Sequence, residues 1–155
     1  MMGSKNTFFF QAPEILDLKR VQVETLLVIK GYSNKEINVY LDAYDFFCVS
    51  PSRYDGATIV KDLVDIPGLD LDSMLHDYHY YVFDCASSLK YKFKADWIFT
   101  KGMERKGKGS YSCYSRFFGL ATFGSLFAIY ARFKRGKIHY HQKVDVDNHY
   151  RILIR

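Results

Sequence analysis

The sequence predicts an α+β fold in a single domain that spans residues 1–155. Two segments with helical periodicity, Leu71–Phe83 and Tyr91–Met103, are joined by a loop short enough to favour an antiparallel helix pair. An almost uncharged segment, Tyr111–Phe133, predicts a long apolar third helix. Apolar or alternating runs near both ends of the chain predict short strands, which we expect to form a small sheet over one side of the helices.

The composition indicates a folded domain with an affinity for negatively charged partners. Apolar residues make up 48% of the chain, which is typical of a globule with its own core. The formal net charge of +5 suits lipid head groups, cell-wall polymers or nucleic acid, and it selects none of them. Residues 1–20 lack the ordered charged, apolar and small segments of a signal peptide, which predicts synthesis in the cytoplasm.

The cysteine pattern indicates thiols rather than a disulfide framework. The three cysteines have no metal-ligand spacing, and their odd number fits a reducing compartment better than a set of bridges. A single bridge, for example between Cys85 and Cys113, is the alternative, and the sequence does not decide the redox state of Cys48, Cys85 and Cys113.

The amino-terminal part is predicted to hold two strands followed by a helix. Phe8–Phe10 and Val21–Ile29 have the composition of strands, because the second run alternates and then becomes wholly apolar. Ser33 and Glu36 have the spacing of a capping box, which predicts a helix over Asn34–Cys48. Residues 52–70 are rich in loop signals and lead to the predicted helix pair.

The carboxy-terminal part is predicted to be the long helix followed by a β-hairpin. The run Phe117–Ala131 has no charged residue. It is too short to span a bilayer, so it is either a core helix or a helix that lies on an anionic membrane surface. A basic edge follows it, formed by Arg132, Lys134, Arg135 and Lys137. The hairpin is expected within Lys137–Arg155, with strands at Ile138–His141 and Tyr150–Ile154.

Three further patterns point weakly to ligands. The stretch Lys101–Lys108 is basic and glycine-rich, but its spacing is not that of a phosphate-binding loop, so a solvated turn is favoured. His139 and His141 share a strand face near His149, but no further zinc ligand stands at a defined spacing. Nucleic acid is not expected as a partner, because no recognition helix, RNA-binding motif or zinc finger is present.

Asp96 is the first candidate site residue, because it lies on an otherwise apolar helix face. Its neighbours on that face at helical spacing are Phe93, Phe99 and Met103. A carboxylate that faces a core is costly unless another group pairs with it. In an antiparallel helix pair centred near residue 86, His76 is level with Asp96, and we expect these two side chains to pair.

The next residue, Asp77, points about 100° away from His76 around the same helix. A histidine oriented by Asp96, with Asp77 nearby, is an arrangement that can activate water. The same pair can instead be a structural hydrogen bond between two helices, and the residues alone leave both interpretations open.

Three segments between Asp55 and Gly119 form an ordered pattern. They read Leu75-His76-Asp77-x-x-Tyr80, Ala95-Asp96-x-x-Phe99-x-x-x-Met103 and Tyr114-x-Arg116-Phe117-Phe118-Gly119. This pattern resembles the phospholipase A2-like superfamily. The likeness is greatest to a small uncharacterised phage and prophage family with an Asp-Gly-Ala-Ser-like loop, a His-Asp-Tyr-x-Tyr helix and an Ala-Asp-x-x-Phe helix. The loop reads Asp55-Gly56-Ala57-Thr58 in this chain.

The resemblance implies a role for each matching residue. His76 would be the general base, and Asp96 would fix its tautomer with help from Tyr80. Asp77 would bind a calcium ion that polarises an ester carbonyl, with Asp55 as a further ligand.

The resemblance also implies a phage origin, which leaves two functions open. The first is a virion-associated protein of the tail, neck or capsid, with a phospholipase-like site and a role in assembly. Its partners would be other virion proteins, copies of itself or an anionic membrane surface, and it would move from the host cytoplasm into the particle. The second is an active hydrolase that cleaves phospholipid esters, or another envelope ester or amide, during entry or lysis.

Overall fold

The computed structural model describes residues 14–54, 71–83, 89–105, 107, 109–126, 129–130 and 146–154. Regular structure in these ranges is helical, and no strand occurs among them. The prediction of an α+β fold with a sheet is therefore wrong, and the described part of the chain is all-α. The predicted strands at 8–10 and 138–141 lie outside the described residues.

The chain divides into two compact units, residues 1–77 and 78–155. The first unit begins with a 3₁₀ turn at Glu14–Asp17 and continues with helices α1 (Arg20–Ile29) and α2 (Asn34–Val49). A short 3₁₀ turn, Pro51–Arg53, follows α2. Helix α1 packs against α2, and their shared core includes Val23, Leu27, Ile37, Tyr40, Leu41, Tyr44 and Phe47.

Helix α1 replaces the strand predicted at Val21–Ile29. Val23 and Leu27, four residues apart, are its fully buried side chains, whereas Val21 and Val28 are exposed. One helix face is thus covered by α2, and this packing outweighs the weak helix propensity of the valines. The capping box of α2 is present as predicted, with the Ser33 backbone N–H donating to the Glu36 carboxylate at 2.7 Å.

Helix α3 (Leu71–Phe83) has the bounds that the sequence predicts, and the division between the units falls within it. The second unit continues with α4 (Leu89–Arg105) and α5 (Ser110–Gly119). A π-helical turn, Leu120–Gly124, extends α5 directly. The backbone is helical again at residues 125–126 and 129–130, so the long third helix is interrupted by this turn.

Helix α6 (Val146–Leu153) replaces the second strand of the predicted hairpin. Val146 and His149 are buried at helical spacing, and α6 packs against α4. Lys94 of α4 forms an ion pair with Asp147, which lies in the first turn of α6. A carboxylate in the first turn also complements the helix dipole. The apparent alternation at Tyr150–Ile154 misled the prediction, because the helical pattern starts four residues earlier.

Candidate functional site

Asp96 lies at the centre of a buried polar cluster in the second unit. Its Oδ2 atom accepts a hydrogen bond from Lys92 Nζ at 2.5 Å, and its Oδ1 atom accepts one from the Tyr80 hydroxyl at 2.8 Å. The Lys92 and Asp96 side chains are both 0% exposed. The charges of this ion pair compensate each other at a place where either one alone would be very costly.

Lys92 makes a second contact that links α4 to the π turn. Its ammonium group donates to the backbone carbonyl of Leu120 at 2.7 Å. One buried cation therefore binds both a carboxylate on its own helix and the backbone of the neighbouring segment. We call Lys92, Asp96, Tyr80 and the Leu120 carbonyl the lysine cluster.

The predicted site residues are distributed over both units. His76 and Asp77 are half-buried on the part of α3 that belongs to the first unit, whereas Tyr80 and Asp96 belong to the second. The structure brings Tyr80 and Asp96 together, and the pairing of His76 with Asp96 stays a prediction. Asp55 lies outside the described residues.

Sequence reasoning missed Lys92, although a signal for it exists. Lys92 stands four residues before Asp96, which is the spacing of a helical ion pair. The buried residues of α4 are Lys92, Ala95, Asp96, Ile98, Phe99, Thr100 and Met103. Phe93, which was expected on the same face as Asp96, is 41% exposed. Asp96 is buried as expected, but a lysine on its own helix meets it.

The residues do not assemble a calcium site within the described ranges. No group of three His, Cys, Asp or Glu side chains there could hold a metal ion. Calcium prefers six or more oxygen ligands. Calcium binding by Asp77 and Asp55 therefore stays a prediction, and no chemical step is assigned to the ion.

Two other buried polar contacts position α3 and α6. In the first unit, the Tyr40 hydroxyl of α2 donates to Asp72 Oδ1 at 2.7 Å. Burial raises the pKa of Tyr40 well above its usual value, and the neighbouring Asp72 charge adds to this effect. In the second unit, His79 Nε2 and His149 Nδ1 lie 2.9 Å apart, and both rings are buried. His149 thus belongs to the contact between α3 and α6.

The most unusual surface of the second unit is an exposed apolar ridge along α5 and its continuation. Tyr111, Phe118, Phe123, Leu126 and Tyr130 are 63–90% exposed, and Tyr114 is 37% exposed. We call these six residues the aromatic ridge. Single exposed apolar residues are ordinary, but a row of large ones is typical of a surface that contacts another protein, a membrane or a ligand.

The π turn keeps the aromatic ridge on one side of the helix. Tyr111, Tyr114 and Phe118 follow one another at i, i+3 and i+7, the spacing of an α-helical face. Phe123, Leu126 and Tyr130 repeat the same spacing after the turn. The step from Phe118 to Phe123 is five residues, which matches the i to i+5 hydrogen-bond span of a π-helix. The turn therefore joins two short stripes into one.

The aromatic ridge lies in the most basic part of the chain. Residues 105–144 contain nine Lys or Arg and no Asp or Glu. The other 115 residues hold 13 Lys or Arg against 17 Asp or Glu. The positive charge of the protein is thus concentrated on the segment that carries the ridge.

Comparison of the chain with protein-family models, curated proteins and solved structures gives no match. The resemblance to the phospholipase A2-like superfamily therefore rests on the residue pattern alone. None of the described helices is long and apolar enough to cross a membrane.

Proposed function

We propose that this protein binds the surface of an anionic lipid bilayer through the aromatic ridge. The observation that carries the proposal is the set of large apolar side chains that are exposed, at helical spacing, along α5 and its continuation. Helices that lie in a membrane interface insert an apolar face by about 5–10 Å and keep basic residues at the head groups.

Charge favours a lipid surface over other occupants of the ridge. The 40 residues around it carry nine basic and no acidic side chains, which complements anionic head groups. Leu126 in the ridge has no aromatic face on which a nucleic-acid base could stack. The competing outcome of the test is that another protein covers the ridge. This outcome corresponds to the virion assembly role that the resemblance implies.

The test is co-sedimentation of the protein with vesicles of phosphatidylcholine alone and of phosphatidylcholine with phosphatidylglycerol. We expect binding to the anionic vesicles that weakens as salt is raised, because salt screens the attraction. The double variant Phe118→Ser/Phe123→Ser should lose at least about tenfold in affinity, since each inserted aromatic contributes on the order of 1 kcal/mol or more.

A matched control is available on the first unit. Ile29 and Val49 are 75% and 85% exposed, so Ile29→Ser/Val49→Ser removes a similar apolar surface elsewhere. This variant should bind as the wild type does. Equal loss in both variants, or no binding to anionic vesicles, would reject the proposal. Self-association that only the ridge variant abolishes would support the assembly role instead.

The second candidate function is a phospholipase-like hydrolase that acts at the same surface. The Tyr80–Asp96 hydrogen bond favours it, because the resemblance implies that Tyr80 holds this carboxylate. The Lys92 contact weighs against it, because a lysine already neutralises the charge that would stabilise a histidinium ion.

Fatty-acid release from the anionic vesicles tests this candidate, with calcium and with a chelator. Release that requires calcium and disappears in His76→Ala would support the hydrolase. Wild-type protein that binds the vesicles without releasing fatty acid would reject it and leave the surface-binding function alone.

A further inference from the structure

The alignment of the aromatic ridge depends on a backbone irregularity. In an α-helix, five residues turn by about 500°, so Phe123 would point about 140° away from Phe118. The extra residue of a π turn takes up about one 100° step, so Phe123 comes back to within about 40° of Phe118. Without the π turn, the stripe of Phe123, Leu126 and Tyr130 would face away from that of Tyr111 and Tyr114.

A π turn disturbs the regular i to i−4 hydrogen bonds of a helix, and three side chains donate to backbone carbonyls in or beside this turn. Lys92 Nζ donates to the Leu120 carbonyl at 2.7 Å. The Thr122 and Ser125 hydroxyls donate to the carbonyls of Phe118 and Ala121 at 2.7 and 2.5 Å. Such hydroxyl bonds are common in ordinary helices, whereas the lysine comes from another element.

Lys92 is fixed where it meets the turn. Its side chain is fully buried, and Asp96 Oδ2 binds its ammonium group at 2.5 Å. A Cβ atom added at Gly124 would lie 3.6 Å from Lys92 Nζ, so the turn passes close to the lysine head with room for little more than a methyl group between them. A charged donor to a carbonyl in a buried place makes a strong hydrogen bond.

We infer that Lys92 is a positioning residue that sets the register of the lipid-binding ridge by stabilising the π turn. The lipid-binding test of this inference rests on the proposed function. The inference gives the lysine cluster a role in binding rather than in catalysis. Asp96 acts through Lys92, because its carboxylate holds the ammonium group in place.

The test variant is Lys92→Met/Asp96→Asn, which removes the cation without leaving a charged carboxylate in the core. The introduced amide keeps an oxygen for the Tyr80 hydroxyl. We expect this variant to fold, to lose the π turn and to bind anionic vesicles about tenfold more weakly, since one of two stripes is turned away.

Deletion of Ala121 in the same background is the decisive second variant. The step from Phe118 to Phe123 then becomes four residues, and a regular α-helix aligns the ridge without a π turn. Binding should return to within about twofold of the wild type. A lysine that only stabilised the fold would not be replaced by a one-residue deletion, so absence of rescue in a folded protein would overturn the inference.

Backbone NMR without lipid separates this inference from the proposed function. A contact from Phe118 to the residue five positions on is expected in the wild type and should vanish in Lys92→Met/Asp96→Asn. Persistence of that contact would overturn the role of Lys92. If the wild-type protein shows the contact but does not bind vesicles, the lipid-binding function is rejected. The NMR comparison of the two proteins still decides whether Lys92 stabilises the π turn.

Discussion

At the scale of single residues, the main feature is an ion pair that is completely buried from solvent. Lys92 and Asp96 are completely buried and hold each other at 2.5 Å. Arg20 and Asp45 form a contrasting pair at 3.1 Å, with about half of each side chain exposed. Because both charges are desolvated, loss of either partner from the buried pair is very costly. The intact pair is nevertheless not a strong source of stability, because burying both charges also costs free energy.

Asp96→Ala should lower the free energy of unfolding by about 3–5 kcal/mol, because it leaves the Lys92 ammonium buried without its counter-charge. Urea unfolding followed by circular dichroism measures this loss. Asp45→Ala is the control and should cost far less, since its pair is exposed to solvent.

Replacement of both partners completes that experiment. Lys92→Met/Asp96→Leu should be more stable than Asp96→Ala, because no charge then remains in the core. A double variant less stable than Asp96→Ala would show that the ion pair contributes more than mutual neutralisation.

The sequence located Asp96 correctly in the core, but Lys92 was not predicted as its partner. The apolar stripe was enough to predict burial, because a helix face is set by local periodicity. The partner depends on which helices meet and how they are rotated, and the i, i+4 lysine offered a solution that needs no second helix. Tyr80 was named as a supporting residue only through the resemblance.

At the scale of elements, the helices with clear start signals or long periodic faces were predictable. Helix α2 begins after its capping box, and α3 has the predicted bounds. Helices α1 and α6 were predicted as strands, because short runs of valine, isoleucine and tyrosine fit both the two-residue repeat of a strand and the 3.6-residue repeat of a helix. Packing of Val23 and Leu27 on α2, and of His149 beside α3, decided the outcome.

Helix α1 ends at a glycine in the left-handed region of backbone conformation. Gly31 has φ +79°. The Gly31 N–H donates to the Val28 carbonyl at 2.9 Å and the Tyr32 N–H donates to the Leu27 carbonyl at 3.1 Å. This is a Schellman motif, and the buried Tyr32 ring that follows it lies 5.2 Å from the ring of Tyr40 in α2.

Two glycine substitutions should therefore change stability in opposite directions. Gly31→Ala should destabilise by about 1 kcal/mol, because alanine resists a positive φ. Gly119 has φ −59° and open space around it, so Gly119→Ala should stabilise by about 0.5–1 kcal/mol. Thermal unfolding of both variants measures the two signs, and a loss in Gly119→Ala would contradict the open surroundings of that residue.

At the scale of the whole molecule, charge is distributed unevenly along the chain. The net charge of +5 hides a segment with nine basic and no acidic residues and a remainder with an excess of acidic ones. Composition alone predicted an anionic partner and could not say which part of the protein would meet it. The exposed ridge within the basic segment supplies that location.

The sheet was the largest error at this scale, and its origin is physical. A sheet requires pairing between distant segments, and the sequence specified no pairing register for any of the four predicted strands. Helices need only local periodicity and a face to bury, so they form wherever a neighbour covers one side.

The chain has a single tryptophan, Trp97, whose position makes it an intrinsic fluorescence probe. Its ring lies 5.1 Å from that of Phe117 and 6.0 Å from that of the ridge residue Tyr114, and Lys101 Nζ lies 5.0 Å above it. Because no other indole contributes, the emission spectrum of the unlabelled protein reports on the base of the ridge alone. Docking of the ridge can then be followed in real time, without a dye, in every variant that keeps Trp97.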